Sequence, residues 1–267
     1  MILKGRALQY LERWAHMLSG RHRKILTYVV GRNILDWIML RTSVAVLLSS
    51  LAVALLVAAQ QPVACPVDVP CPVCDPPRTA GPLTALRDGN SRFVKPDPKH
   101  FHQSVECGKR LSCCQKPFAV ILSCSDSRVP PDVLFDQGIG DLFVVRVAGN
   151  VATPDALGSI EYAVDHLDAK LVVVMGHRRC GAVQAAFCPR PGPHLDVLWD
   201  LIRPSVAHPL PSCEHHEQVD PAQWDLAVRK NISNMAAMVT RDLRGRAGVS
   251  VAAAYYNLDD GKVDFPK

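Results

Sequence analysis

The runs FAVILS, from Phe118 to Ser123, and LVVVMG, from Leu171 to Gly176, are apolar without the alternation of a half-exposed strand. Such runs suit strands covered on both faces, the condition of a parallel sheet with helices on either side. DLFVVRVA, from Asp141 to Ala148, predicts a further strand, and SVAAAYYN, from Ser250 to Asn257, another. Between Asp141–Ala148 and Leu171–Gly176, Thr153 and Pro154 make a helix start, followed by Leu157, Ile160, Val164 and Leu167 at helical spacing. A second helix is expected from about Trp224 to Leu243, with Val228, Ile232, Met235, Val239 and Leu243 on one face. NLDDGKVDF then reads as a turn, with Gly261 at positive φ, into a short antiparallel edge strand. The expected fold is α/β: a mostly parallel central sheet flanked by helices, closed by a short antiparallel edge strand at the C-terminus.

The remainder of the 267 residues divides by composition. Residues 1–41 are basic, with eight lysines and arginines facing only Glu12 and Asp36. Residues 42–59 contain no charge and are long enough as a helix to span roughly 27 Å of hydrocarbon, so a membrane crossing is expected there, with the basic segment on the cytoplasmic side. Cleavage after Ala59, giving a secreted protein, is the alternative; PVAC at Cys65 only faintly resembles a lipoprotein site. Residues 60–82, rich in proline and cysteine, read as an extended stalk, and residues 83–267 as the folded domain, whose segment from Lys95 to Cys114 is expected to be a loop. The net charge of +5 lies almost wholly before Thr42, which argues against a nucleic-acid partner. Downstream of the expected span, ten cysteines suit an oxidising compartment; if two bind metal, the other eight can pair in 105 ways.

In open parallel sheets, reactive groups gather where strands end. Cys124, Asp126 and Arg128 follow the strand from Phe118, and His177 and Cys180 follow the strand from Leu171. A helix opening at Cys180 would favour its thiolate. Two thiolates and one imidazole suit zinc and leave one coordination position open, as in a catalytic site. Cys188, two helical turns beyond Cys180, is too far to be a fourth ligand.

The stretches CSDSRVPPDVLFDQGIGDLFVVRVAGN, SIEYAV and GHRRCGAVQAA resemble the β-class carbonic anhydrases, over roughly Leu83 to Phe265. The resemblance implies zinc held by Cys124, His177 and Cys180, with Asp126 and Arg128 as the catalytic dyad of carbon dioxide hydration to bicarbonate. It also implies that Gln115, Phe143, Ala148, Tyr162 and Gly181 line the substrate pocket, with Ala148 replacing a commoner valine, and that the chain forms a dimer or a multiple of one. Arg178 and Arg179 depart from the family pattern, as solvated charges or as an attraction for bicarbonate. Hydrolysis of carbonyl sulfide or carbon disulfide on the same ligands, or a tethered zinc module without catalysis, are the competing expectations, with thiol redox chemistry at CPVC, Cys71 to Cys74, a more distant one.

Overall fold

The computed structural model describes residues 43–45, 48–49, 71–72, 74, 80–210 and 219–266. The chain separates into two units, Met1–Cys65 and Pro66–Lys267. The basic segment 1–41, most of the expected span 42–59 and most of the segment 60–82 lie outside the described residues. Among the described residues no helix is long and apolar enough to cross a membrane.

The second unit is built on a five-stranded sheet. Its strands are β1 (Ala119–Ser123), β2 (Leu142–Arg146), β3 (Leu171–His177), β4 (Ser250–Tyr256) and β5 (Val263–Asp264), in the order β2-β1-β3-β4-β5. The first four are parallel and β5 runs antiparallel to β4, as the sequence predicts. β1 and β3 are buried along their whole length because helices cover both faces. Successive residues alternate between two cores: Val120, Leu122, Val172 and Val174 pack into one, and Ala119, Ile121, Val173 and Met175 into the other.

On the first face lie α4 (Pro154–His166), α5 (Gly181–Ala185), α6 (Asp196–Ile202) and α7 (Pro221–Asp242), each contributing to the core that contains Ile160, Val183, Ile202 and Val228. The Thr153 hydroxyl caps α4 by accepting from the Ala156 N–H at 3.4 Å, and Asp220 caps α7 by accepting from the Gln223 N–H at 3.2 Å, with proline opening each helix. The opposite core receives Leu86 from α1 (Pro82–Val94) and Leu134 from α3 (Pro131–Leu134). Buried Asn90 of α1 donates to the carbonyls of Leu134 and Gly261 and accepts from the Val263 N–H, tying the first helix to the last strand. Gly261 sits at φ 75°, as the turn requires.

The segment expected to be a loop between Lys95 and Cys114 contains a short helix, α2 (Val105–Arg110). Ser104 caps it by accepting from the Cys107 N–H, and Glu106 and Lys109/Arg110 lie at the ends their charges favour. Disulfides Cys71–Cys114 and Cys74–Cys107 fasten the proline-rich segment to the region around α2, and Cys113 and Cys188 are disulfide-bonded as well. Cys71 and Cys74 therefore do not form a dithiol with each other, which removes the redox reading of CPVC.

Candidate metal centre

The end of β1 delivers Cys124 and the end of β3 delivers His177, and these strands are hydrogen-bonded neighbours in the sheet. Between His177 and Cys180 the chain turns through Arg179 at φ 55°, a left-handed residue, and Cys180 comes to lie beside the other two. The Cys124, His177 and Cys180 donor atoms all lie within 4.8 Å of one another, and all three residues are buried.

The three residues fit a metal on their own geometry. The two sulfurs stand 3.9 Å apart without a bond; two sulfurs about 2.3 Å from one tetrahedral ion would stand about 3.8 Å apart. His177 Nδ1 lies 3.0 Å from the Arg178 carbonyl and, as the protonated nitrogen, donates to it. That tautomer leaves a lone pair on Nε2, which is buried and has no hydrogen-bond partner among the described residues. An orphaned buried acceptor facing two thiols is costly in the bare protein and is satisfied by a cation.

Cys124 accepts from the backbone N–H groups of Gly149 at 3.2 Å and Asp126 at 3.4 Å. Without metal, the Cys180 thiol beside it and these donors hold the Cys124 thiol well below the usual range, while the same contact and deep burial push Cys180 up. Amides of Val183 and Ala182 at the start of α5 do favour a Cys180 thiolate, as expected of a helix start, but in the bare pair they are outweighed by the Cys124 contact and burial.

Asp126 lies beside this cluster, its Oδ2 3.8 Å from His177 Nε2. Arg128 engages both carboxylate oxygens: the backbone N–H and Nε donate to Oδ1 at 2.9 Å each, and Nη2 donates to Oδ2 at 2.7 Å. This pairing holds the Asp126 carboxyl well below the usual carboxylate range.

Several supporting residues carry no motif and were not singled out in the sequence. Arg146, at the end of β2, donates to the carbonyls of Cys124 and Asp126, fixing the loop that carries Cys124, Asp126 and Arg128. Trp224 Nε1 donates to the Cys180 carbonyl at 3.0 Å, and Asn231 Nδ2 to the Gly149 carbonyl at 2.8 Å, both from α7. The only available signal was their i, i+7 spacing on that helix.

The expected pocket residues fall in two groups. Ala148 and Gly181 adjoin the centre, one preceding Gly149 and the other following Cys180. Gln115 and Tyr162 instead line a cavity of about 570 Å³ with Cys113, Cys114 and His166, a cavity lined by none of the three donors. Phe143 packs beside Tyr162, with ring centroids 6.2 Å apart. Arg178 and Arg179 both pair with Asp259, on the turn between β4 and β5, so neither is an unpaired charge.

Residues 119–263 match the family model described as carbonic anhydrase. The chain is 54% identical over 186 residues to a carbonic anhydrase of Mycolicibacterium smegmatis, covering 67% of this chain and 89% of the relative. It is 41% identical over 185 residues to carbonic anhydrase 2 of Mycobacterium tuberculosis, covering 67% and 88%. Among solved structures, the β-carbonic anhydrase of Coccomyxa in complex with acetazolamide superposes with a TM-score of 0.51 at 26% identity, covering 68% of this chain and 83% of that one. A tetrameric β-carbonic anhydrase of Sordaria macrospora shares the fold, with a TM-score of 0.52 at 23% identity over 68% of this chain and 93% of that one.

Proposed function

The chain belongs to the β-class carbonic anhydrases, zinc enzymes that interconvert carbon dioxide and bicarbonate, and we propose that Cys124, His177 and Cys180 hold its zinc while Asp126 and Arg128 orient the nucleophile. The observation that carries this division of roles is the orphaned Nε2 of His177, facing two unbonded cysteine sulfurs with the Asp126–Arg128 pair at their edge. When bound, zinc supplies a water acidic enough to react with carbon dioxide near neutral pH.

The chain's own groups then do the positioning. Arg128 keeps Asp126 ionised and engages both its oxygens, so the carboxylate, 3.8 Å from His177 Nε2, is held beside the donors to accept a hydrogen bond from the nucleophile and is kept from serving as a fourth ligand. His177 is held in the tautomer that ligates, by the Arg178 carbonyl. Ala148 and Gly181 present little bulk beside the centre, which leaves space for a small linear substrate. Gln115, Phe143 and Tyr162 are assigned to the pocket through a second copy of the chain, in a dimer or an assembly of dimers. The placement of Gln115 and Tyr162 on a cavity lined by none of the donors of their own chain, with Phe143 packed beside Tyr162, supports that assignment.

We further propose that residues 42–59 anchor the chain in a membrane, with 1–41 cytoplasmic, 60–82 as a tether and the domain from 83 on the opposite side. The charge-free run supports this, as do the disulfides, which persist in oxidising compartments.

Stopped-flow carbon dioxide hydration by the zinc-loaded full chain, beside Asp126→Ala, tests the assignment. Turnover that falls about 100-fold or more in the variant, with zinc retained, is the expected result; undiminished turnover would remove Asp126 from the mechanism.

A further inference from the structure

Asn231 sits in the interior of α7 and is wholly buried in a region otherwise filled by Val228, Ile232 and Met235. Asparagine is a poor choice there, because it is a weak helix former and its amide is costly to bury unless fully bonded. Its Oδ1 has no partner among the described residues. Its Nδ2 has one, the Gly149 carbonyl at 2.8 Å.

Gly149 is the residue whose N–H donates to the Cys124 sulfur. It sits at φ 71° and is followed by Asn150 at φ 47°, so this turn holds two consecutive left-handed residues. A side chain at position 149 would bring a Cβ within 2.6 Å of Ile202 Cδ1. The turn is thus held by Asn231 at the Gly149 carbonyl, while the Gly149 amide donates to the sulfur. Trp224, two turns earlier on the same helix, grips the Cys180 backbone but touches no sulfur in this way.

We infer that Asn231 is a positioning residue of the metal centre: by holding the Gly149 carbonyl, it keeps the Gly149 N–H on the Cys124 sulfur and sets how strongly that thiolate donates to the metal. An N–H aimed at a ligand sulfur withdraws charge from it, and outer partners of this kind tune the metal they never touch. The inference rests on Cys124, His177 and Cys180 being the ligands.

The test uses the full chain loaded with cobalt(II), whose thiolate-to-metal charge-transfer band reports electron donation by sulfur. Asn231→Leu is compared with Asn234→Ala, which removes a hydrogen bond from the same helix to the Ser205 hydroxyl, away from the sulfurs. In Asn231→Leu the band is expected to move to lower energy, and metal affinity, measured by chelator competition, to fall about 10- to 100-fold. Asn234→Ala is expected to lower the melting temperature while leaving band and affinity at wild-type values. If Asn231→Leu keeps the wild-type band and affinity, Asn231 only packs and the inference is overturned. If the wild-type chain shows no thiolate band, the ligand assignment itself fails. Should Asn231→Leu not fold, Asn231→Ser, too short to reach the Gly149 carbonyl, is judged by the same two readouts.

Discussion

Two sets of neighbouring sulfurs in this chain meet different ends. Cys74 is joined to Cys107 and Cys71 to Cys114, whereas Cys124 and Cys180 stand 3.9 Å apart and unbonded. The joined sulfurs tie Cys71 and Cys74 of the proline-rich segment to Cys114 and to Cys107 in a short helix. The unbonded pair lies at the end of the most buried strand pair, with backbone amides aimed at Cys124. A disulfide needs its sulfurs at about 2.05 Å; the rigid sheet keeps this pair at the separation two ligands of one ion require. In one region the sulfurs make the structure, and in the other the structure holds the sulfurs.

The sharpest way to break this contrast is to remove a sulfur from the unbonded pair. Cys180→Ser is expected to reduce zinc content to background and carbon dioxide hydration by more than the roughly 100-fold that losing an outer partner costs. Metal analysis and stopped-flow assays check this, and the disulfides should survive intact.

A pH profile sharpens the contrast next. Two thiolates cancel the zinc charge, so hydration is expected to rise about tenfold as pH climbs through about 7–9. Asp126 does not set that rise. Its folded value is depressed, so its contribution is fully present above the ordinary carboxylate range and is lost only as pH falls through that lower value. A pH–rate profile of Asp126→Asn should therefore keep the same inflection at a lower plateau.

Removing a joined pair should do the opposite of removing a ligand. The double substitution Cys74→Ser/Cys107→Ser opens a 33-residue separation and is expected to cost about 2–4 kcal/mol. That is a fall in melting temperature of roughly 5–10 °C, with zinc content unchanged. The smallest effect is expected from Asp259→Asn, which releases Arg178 and Arg179 beside the ligand turn. These are largely exposed ion pairs, so thermal denaturation of the metal-loaded chain should register less than about 1 kcal/mol.

The buried strands were legible because apolar runs such as LVVVMG admit few other structures, and β3 extends only one residue further, to His177. The cluster of Cys124, His177 and Cys180, able to hold a metal, was legible because CxDxR and HxxC each follow such a run. α2 is not legible although Ser104 and Glu106 are ordinary helix-start signals, because six residues are too few to show an apolar periodicity. The start of α7 was placed three residues late, yet Asp220 and Pro221 mark it plainly. Asn231, Trp224 and Arg146 act through backbone atoms distant in sequence, and such contacts leave no local pattern. Cysteine pairing is illegible for the same reason, since it depends on how the chain returns on itself.

The adjacency of β1 and β3 also bears on how the chain acquires its metal. Cys124 and Cys180 are 56 residues apart in sequence, and the connection between their strands passes through β2 and α4. No short fragment contains the whole donor set, so an ion has nothing complete to grip until this parallel, non-local pairing has closed. An ion held there would act as a latch between β1 and β3, its binding energy opposing their separation.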